Sequence, residues 1–368
     1  MNLLILSRYD RQGASSRVRF MQYRSFLEAA GFEVELKSFF DAEYLPSLYA
    51  GRNPSAAIRR GYAHRVRDLL GAKGRADLIW LEKEALPWVP SVLEGRLMPS
   101  GVPVVSDFDD AVFHRYDMHR FKPIRALLGR KFEHVMKNSA CVFAGNAYLA
   151  EYARNAGTRA VEVVPTVVDV ERYRVKPYAD TGPEPIIGWI GTPSTWRECV
   201  EPFLPVLRGV ARTHNARIVA VGSRMTPSEE GGIHFLPFSE EEEPLRIRTM
   251  DIGVMPLPDT PWMRGKCGYK LIQYMACGLP VVASPVGVNS EIVEHGVNGF
   301  LAETPDDWSQ ALKTLIDDPE LRWQMGAAGR KRVEERYSLQ VYGPRVASLL
   351  SEIVSQGGPA RGILRQKS

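Results

Sequence analysis

Short apolar runs alternate with amphipathic stretches along this chain, and the alternation predicts its elements. Residues 3–7 read as a buried strand and 8–15 as a polar loop. Residues 16–30 read as a helix with Phe20, Tyr23, Leu27 and Ala30 on one face, ended by Gly31. A second strand is predicted at 32–39, and further apolar runs fall at 78–81, 102–106, 141–144 and 161–164. Strands separated by helices argue for a parallel sheet covered on both faces. The rhythm breaks at 174–185 (RVKPYADTGPEP), rich in proline, glycine and charge, which suits a linker. It restarts with strands at 186–190, 218–221, 234–238, 252–257 and 281–284. The predicted organisation is two doubly wound α/β domains, 1–172 and 186–336, joined by a linker at 173–185. A helix at 337–356 is expected to pack back toward the first domain, followed by a flexible tail at 357–368. Within the second half, Pro305 opens a helix whose first turn carries Asp306 and Asp307, the sign its positive end favours.

Composition narrows the class. A chain of 368 residues is comfortable as two domains of about 150–200 residues each. Hydrophobic and charged fractions of 45% and 24% are ordinary for a soluble protein. The net charge of +4 does not call for nucleic acid, and none is expected as a partner. Cys141, Cys199, Cys267 and Cys277 lack metal-type spacing and are expected as reduced, buried thiols. No run reads as a signal segment or a membrane span, so a cytoplasmic location is expected.

Open parallel sheets bind ligands at the carboxyl ends of their strands, which directs attention to the loops just after them. In the first loop, Gly13 allows close backbone approach, Ser15 or Ser16 caps the helix, and Arg17 and Arg19 sit in its first turn. Cations there oppose the helix dipole, and a nearby anion would reconcile them. After the strand at 102–105 come Asp107, Asp109, Asp110 and His114, candidates for sugar-hydroxyl acceptors, a site histidine, metal ligands or a plain capped turn. The densest signal is 262–280 (WMRGKCGYKLIQYMACGLP). Gly265 and Gly268 open a helix to about Ala276, with Lys266, Tyr269 and Lys270 at its start and Gln273 one turn on. Backbone N–H groups and two lysines with no adjacent acid make a site for a diphosphate. The loop at 190–197 adds Thr192 and Arg197.

These residues resemble glycosyltransferase family 4, retaining enzymes of the GT-B fold. The likeness runs from 262–280 through 281–287, Glu291-Ile292-Val293 and 296–301, and extends to 188–191, to Asn146 with Tyr148-Leu149, to 164–166 and to 330–338. It implies two Rossmann-like domains facing a central cleft. The family's usual pair of acids, eight positions apart, falls here on Gly265 and Gln273, so both carboxylates are absent; the segment matches a branch reading G-K-C-G-x-K-x-x-Q-Y-M-A. Gln273, Pro237 and Phe238 are then expected at the ribose and base. Thr192 stands near the family's phosphate-binding Arg and Arg197 near its Lys, with Lys266 and Lys270 supplying the charge. Asp259, Asn146 and the three aspartates are left for the donor sugar or acceptor.

The resemblance implies sugar transfer from a nucleoside diphosphate sugar with retention, and Arg17, His114 and Lys270 are the expected catalytic set. No metal or other cofactor is expected where lysines neutralise the phosphate. Residues 111–137 carry seven Lys or Arg interleaved with Leu127, Leu128, Phe132 and Val135, and 57–67 (AIRRGYAHRVR) is a second basic stretch. Both read either as surface helices or as contacts with an anionic membrane, which would suit a lipid-linked or polysaccharide acceptor. A sugar-nucleotide epimerase and a non-catalytic sugar-nucleotide-binding protein remain the competing readings.

Overall fold

The computed structural model describes residues 1–177, 182 and 184–356. The tail expected at 357–368, and residues 178–181 and 183 of the expected linker, lie outside the described residues. The chain forms two compact units. Unit 1 is Met1–Thr166 together with the segment from Tyr342 onward, and unit 2 is Val167–Val341, so the chain passes between units twice. No described helix is long and apolar enough to cross a membrane.

Unit 1 is built on six parallel strands in the order β2-β1-β3-β4-β5-β6. They are β1 (Asn2–Ser7), β2 (Glu33–Ser38), β3 (Leu78–Glu82), β4 (Val104–Phe108), β5 (Cys141–Ala144) and β6 (Val161–Val163). Leu3, Leu4, Ile5 and Leu6 are all buried, as a central strand covered on both faces requires. At the edge, β2 instead exposes Glu33 and Glu35, charges that discourage pairing with another sheet. The long helix expected at 16–30 is broken into Ala14–Arg19, a tight turn at Met21–Tyr23, and Arg24–Ala29. Five consecutive residues, 16–20, are buried, which no single helix stripe can satisfy. The break at Phe20 (φ −130°) lets its ring pack on Trp80 at 4.7 Å.

Unit 2 has seven strands in the order β13-β12-β11-β7-β8-β10-β9. They are β7 (Ile186–Ile190), β8 (Arg217–Val221), β9 (Ser228–Glu230), β10 (Ile233–Leu236), β11 (Ile252–Met255), β12 (Val281–Ala283) and β13 (Gly299–Leu301). All pairings are parallel except β9 with β10. β9 reads Ser-Glu-Glu and β13 is three residues long, so neither had an apolar run to announce it. Helix Tyr269–Ala276 lies at the centre of the core, with Leu271, Ile272, Tyr274 and Met275 fully buried. Gly326 on helix Pro319–Arg336 allows the backbone at Gly278 to approach so closely that a Cβ would stand 1.9 Å from its carbonyl oxygen.

Candidate functional site

Each sheet has one point where successive connections leave in opposite directions, and ligands of open α/β sheets collect there. In unit 2 that point lies between β7 and β11, and in unit 1 between β1 and β3.

At the unit 2 switch point, the turn after β7 meets the start of helix Tyr269–Ala276. The expected single helix from Gly265 is in fact a one-turn helix, Pro261–Arg264, then a bend, then Tyr269–Ala276. Gly268 caps the second helix in the left-handed region (φ 64°), and a Cβ there would lie 2.2 Å from Ile292 Cδ1. Lys270 stands in the first turn with its ammonium 5.6 Å from the centre of the Trp189 ring. A Cβ on Gly191 would meet Lys270 Cε at 2.8 Å, so glycine is what admits the lysine beside β7. Lys266 lies over Trp262 at 5.8 Å. Lys266, Tyr269 and Lys270 are all half-buried.

The remaining unit 2 candidates divide. Thr192 caps helix Pro193–Thr195, and Arg197 is exposed on the turn that follows. Pro237 is half-buried and Phe238 is exposed, next to Gly222, whose φ of 81° and 3.3 Å Cβ approach to the Phe238 Cβ leave no room for a side chain. Gln273 is buried, and its amide nitrogen donates to the Tyr173 hydroxyl (3.1 Å), which donates to buried Glu243 (2.5 Å). Its amide is thus built into a buried chain rather than standing open. Asp259 pairs with Arg264 (2.7 Å) on the surface, and that guanidinium holds its carboxyl below the usual range.

At the unit 1 switch point, Glu82 ends β3 and receives three hydrogen-bond donors. Ser15 (3.0 Å) and Ser16 (2.6 Å) donate their hydroxyls and Arg8 its backbone N–H (2.7 Å), while the Lys83 ammonium stands 3.6 Å away. The single Ser15 hydroxyl proton is shared between Glu82 and Asp109 (2.5 Å), and Lys83 pairs with Asp109 at 2.7 Å. Burial opposes the Asp109 charge, yet Lys83 and the Ser15 hydroxyl pull its pKa down to about 2. Burial likewise works against the Lys83 charge, and Asp109 with Glu82 and Asp110 overcomes it, so the lysine stays protonated. Lys83 adopts a left-handed backbone (φ 64°), a strain that persists where surrounding contacts fix the residue. The Glu82-Lys83-Glu84 triplet was missed by sequence reasoning, although it directly follows the apolar run at 78–81 and the strand-end rule pointed to it.

Other unit 1 candidates have structural partners. Helix Ala14–Arg19 is so short that Arg17 and Arg19 fall in its last turn, where cations are favoured. The anion sought for them is internal: Arg19 makes a buried two-pronged pair with Asp107 at 2.8 and 3.0 Å. Asp107 therefore lies within β4 rather than in the loop beyond it; burial raises its pKa to about 6 while Arg19 pulls the other way. Arg17 is buried with its guanidinium on the Arg11 carbonyl (3.1 Å). Gly13 is required by the Tyr9 side chain, 2.3 Å from where a Cβ would stand. His114 is held on both ring nitrogens, by Asp117 (3.0 Å) and the Tyr148 hydroxyl (2.8 Å). Asn146 caps helix Ala147–Asn155 through the Leu149 N–H (2.9 Å). Asp110 is half-buried beside this group. In the basic stretches, Lys131 is buried between Glu84 (2.7 Å) and Glu94 (2.8 Å), and Arg65 is buried on the Ser7 carbonyl (2.6 Å), so neither is a surface charge.

With this geometry in place, the comparisons bear on one half. Residues 184–318 match the family described as glycosyl transferases group 1. The human alpha-1,3/1,6-mannosyltransferase ALG2 (Homo sapiens) is 41% identical over 70 residues, which is 19% of this chain and 16% of that protein. Sucrose synthase 2 of Pisum sativum is 35% identical over 89 residues, 22% of this chain and 11% of that protein. The matched stretches thus span a small part of these relatives. The structural likeness is broader. Sucrose-phosphate synthase from Thermosynechococcus elongatus superposes with a TM-score of 0.71 at 16% identity, over 96% of this chain and 99% of that one. HepE of Anabaena in complex with UDP-glucose gives 0.70 at 18% identity, over 96% and 100%. At these identities the likeness shows the fold, which is GT-B.

One prediction belongs to the fold of this site. Gly268→Ala is expected to destabilise the protein by about 1–3 kcal/mol, from the left-handed backbone and the clash with Ile292. Denaturant unfolding measures it; an unchanged midpoint would mean that the bend does not have this conformation.

Proposed function

We propose that the protein transfers a glycosyl group from a nucleoside diphosphate sugar to an acceptor hydroxyl, with retention at the anomeric carbon. The observation that carries this reading is Lys270 beside Gly191 and the Gly268-capped helix start, at the switch point of the sheet that matches the glycosyl transferases group 1 family. The Lys270 ammonium stands in the first turn of that helix, and a cation at a helix N-terminus suits a leaving diphosphate. The bond from the anomeric carbon to the phosphate oxygen breaks, the acceptor oxygen takes its place, and the acceptor proton passes to the leaving phosphate. Lys270 and Lys266 neutralise the developing charge, with Thr192 and Arg197 secondary, and no metal is needed. Pro237 and Phe238 are the residues we assign to the base. Gln273, buried with its amide N–H on Tyr173, holds the helix from behind rather than contacting ribose. In unit 1, Asp109, held ionised by Lys83 and Ser15, is the group we assign to acceptor or sugar hydroxyls. The acceptor is a glycan or a lipid-linked intermediate of glycan synthesis.

The test is a thermal-shift screen of nucleoside diphosphates and their sugars, run in EDTA. A ligand at a hundred times its Kd stabilises the folded state by about 2.7 kcal/mol, a shift of several degrees. No shift with any base would sink the reading. Mass spectrometry of the product with a shifting donor then separates transfer from epimerisation or from binding alone.

A further inference from the structure

We propose that the face of unit 1 around Trp88 and residues 118–127 is a docking surface for an anionic bilayer. Trp88 is 44% exposed, Met118 58%, Phe121 52% and Leu127 65%. Trp88 is also in the left-handed region (φ 61°), where a bulky residue is a genuine outlier and needs something to hold it. The holder is a buried network. The Trp88 N–H donates to the Tyr116 hydroxyl (2.8 Å), which donates to Glu84 (2.9 Å), and Glu84 is fixed by Lys131 (2.7 Å) and Arg8 (3.4 Å). The result is an indole set edge-on against Tyr116 (5.0 Å) and His119 (5.8 Å), and left half in solvent. His119 in turn meets Phe121 at 5.5 Å, so the aromatic groups form a continuous chain. One edge of the indole packs on Tyr116 and His119, and the strained backbone leaves the other edge in solvent beside Phe121, where an outside partner can reach it.

Charge decides what that is. From 115 to 125 the chain carries Arg115, Arg120, Lys122 and Arg125 against Asp117 alone, and Asp117 is paired with His114 (3.0 Å). Arg120 lies over the Phe121 ring at 4.6 Å. Protein interfaces gather their apolar groups into a core depleted of charge. Here cations alternate with exposed apolar side chains, the arrangement that seats aromatic rings at headgroup depth and guanidinium groups on lipid phosphates. The surface lies wholly in unit 1 and does not rest on the donor reading, which is tested through Lys270 in unit 2.

The experiment is co-sedimentation of the full chain, without nucleotide, with phosphatidylcholine vesicles and with vesicles that also contain phosphatidylglycerol. Binding is expected with the anionic vesicles only, and to weaken as salt rises. The double variant Phe121→Glu/Leu127→Glu changes two exposed side chains, so its thermal midpoint should match the parent while binding falls tenfold or more, by roughly the burial of two apolar groups. Arg120→Gln and Lys122→Gln should each weaken binding about fivefold. Absence of binding, equal binding to neutral vesicles, or undiminished binding by the double variant would overturn the proposal. So would self-association in solution that the double variant abolishes, since the face would then belong to a second copy of the chain.

Discussion

Lys270→Ala is expected to lower glycosyl transfer by about 10²–10³-fold while the protein stays folded, the loss typical when one preorganised group facing the developing charge is removed. The lysine is half-buried and alanine keeps its Cβ, so stability should change by under about 1 kcal/mol. Its charge sits in the first turn of a helix, where it disfavours folding and favours an anion. Removing it should therefore weaken nucleoside diphosphate binding and turnover together. Lys270→Arg should restore only part of the activity, because Gly191 already lies against the lysine stem and a guanidinium needs more room. Steady-state kinetics on a donor found by thermal shift, beside titration of the free diphosphate, measures both effects. If neither binding nor turnover moved in Lys270→Ala, the diphosphate site would have to be placed elsewhere.

The largest effect on stability is expected from Arg19→Ala, at about 3–5 kcal/mol. Arg19 and Asp107 are each 1% exposed and joined by two hydrogen bonds. The guanidinium also donates to the Val164 carbonyl (2.7 Å), and Trp80 Nε1 donates to Asp107 (3.2 Å). Truncating the arginine leaves a carboxylate without its cation in the centre of the unit 1 sheet. That state is relieved by protonation, consistent with an Asp107 pKa already raised by burial. The double variant Arg19→Met/Asp107→Leu removes both charges and should be more stable than Arg19→Ala alone. Thermal unfolding should show the single variant lower by roughly ten degrees. A shift within a degree or two would mean that water reaches the pair.

Much of the fold could be read from the chain because most central strands carry a dense apolar run. Leu78 to Leu81 and Ile186 to Ile190 announce themselves whatever surrounds them. β9 did not, since its Ser-Glu-Glu pairs only with β10 at the sheet edge and has no buried face to mark it. The unit 2 candidates were legible because glycine, lysine and the apolar stripe lie within one stretch of sequence. In unit 1 the partners are distant. Lys131 looked like one more surface cation, and only the fold brings Glu84 and Glu94 to it. Arg19 looked like a ligand-seeking arginine for the same reason: Asp107 was assigned to a loop, when β4 carries it two residues further into the sheet. Local pattern tells that a charge is unusual; which partner answers it is a property of the topology.

The double passage of the chain between units has a consequence for how the molecule is made. Unit 2 is one unbroken segment, whereas unit 1 needs residues from Tyr342 onward, where Gly343 fits against the Phe26 ring. On the ribosome, the first six strands emerge early but the helix Leu339–Ser355 is completed only after the whole of unit 2 has been translated. The segment that starts first is therefore finished last, and unit 2 can reach its native state while unit 1 still waits for its closing piece. Interrupted translation or a nick after unit 2 would leave unit 2 whole and the six-stranded sheet of unit 1 without the helix that packs on that unit.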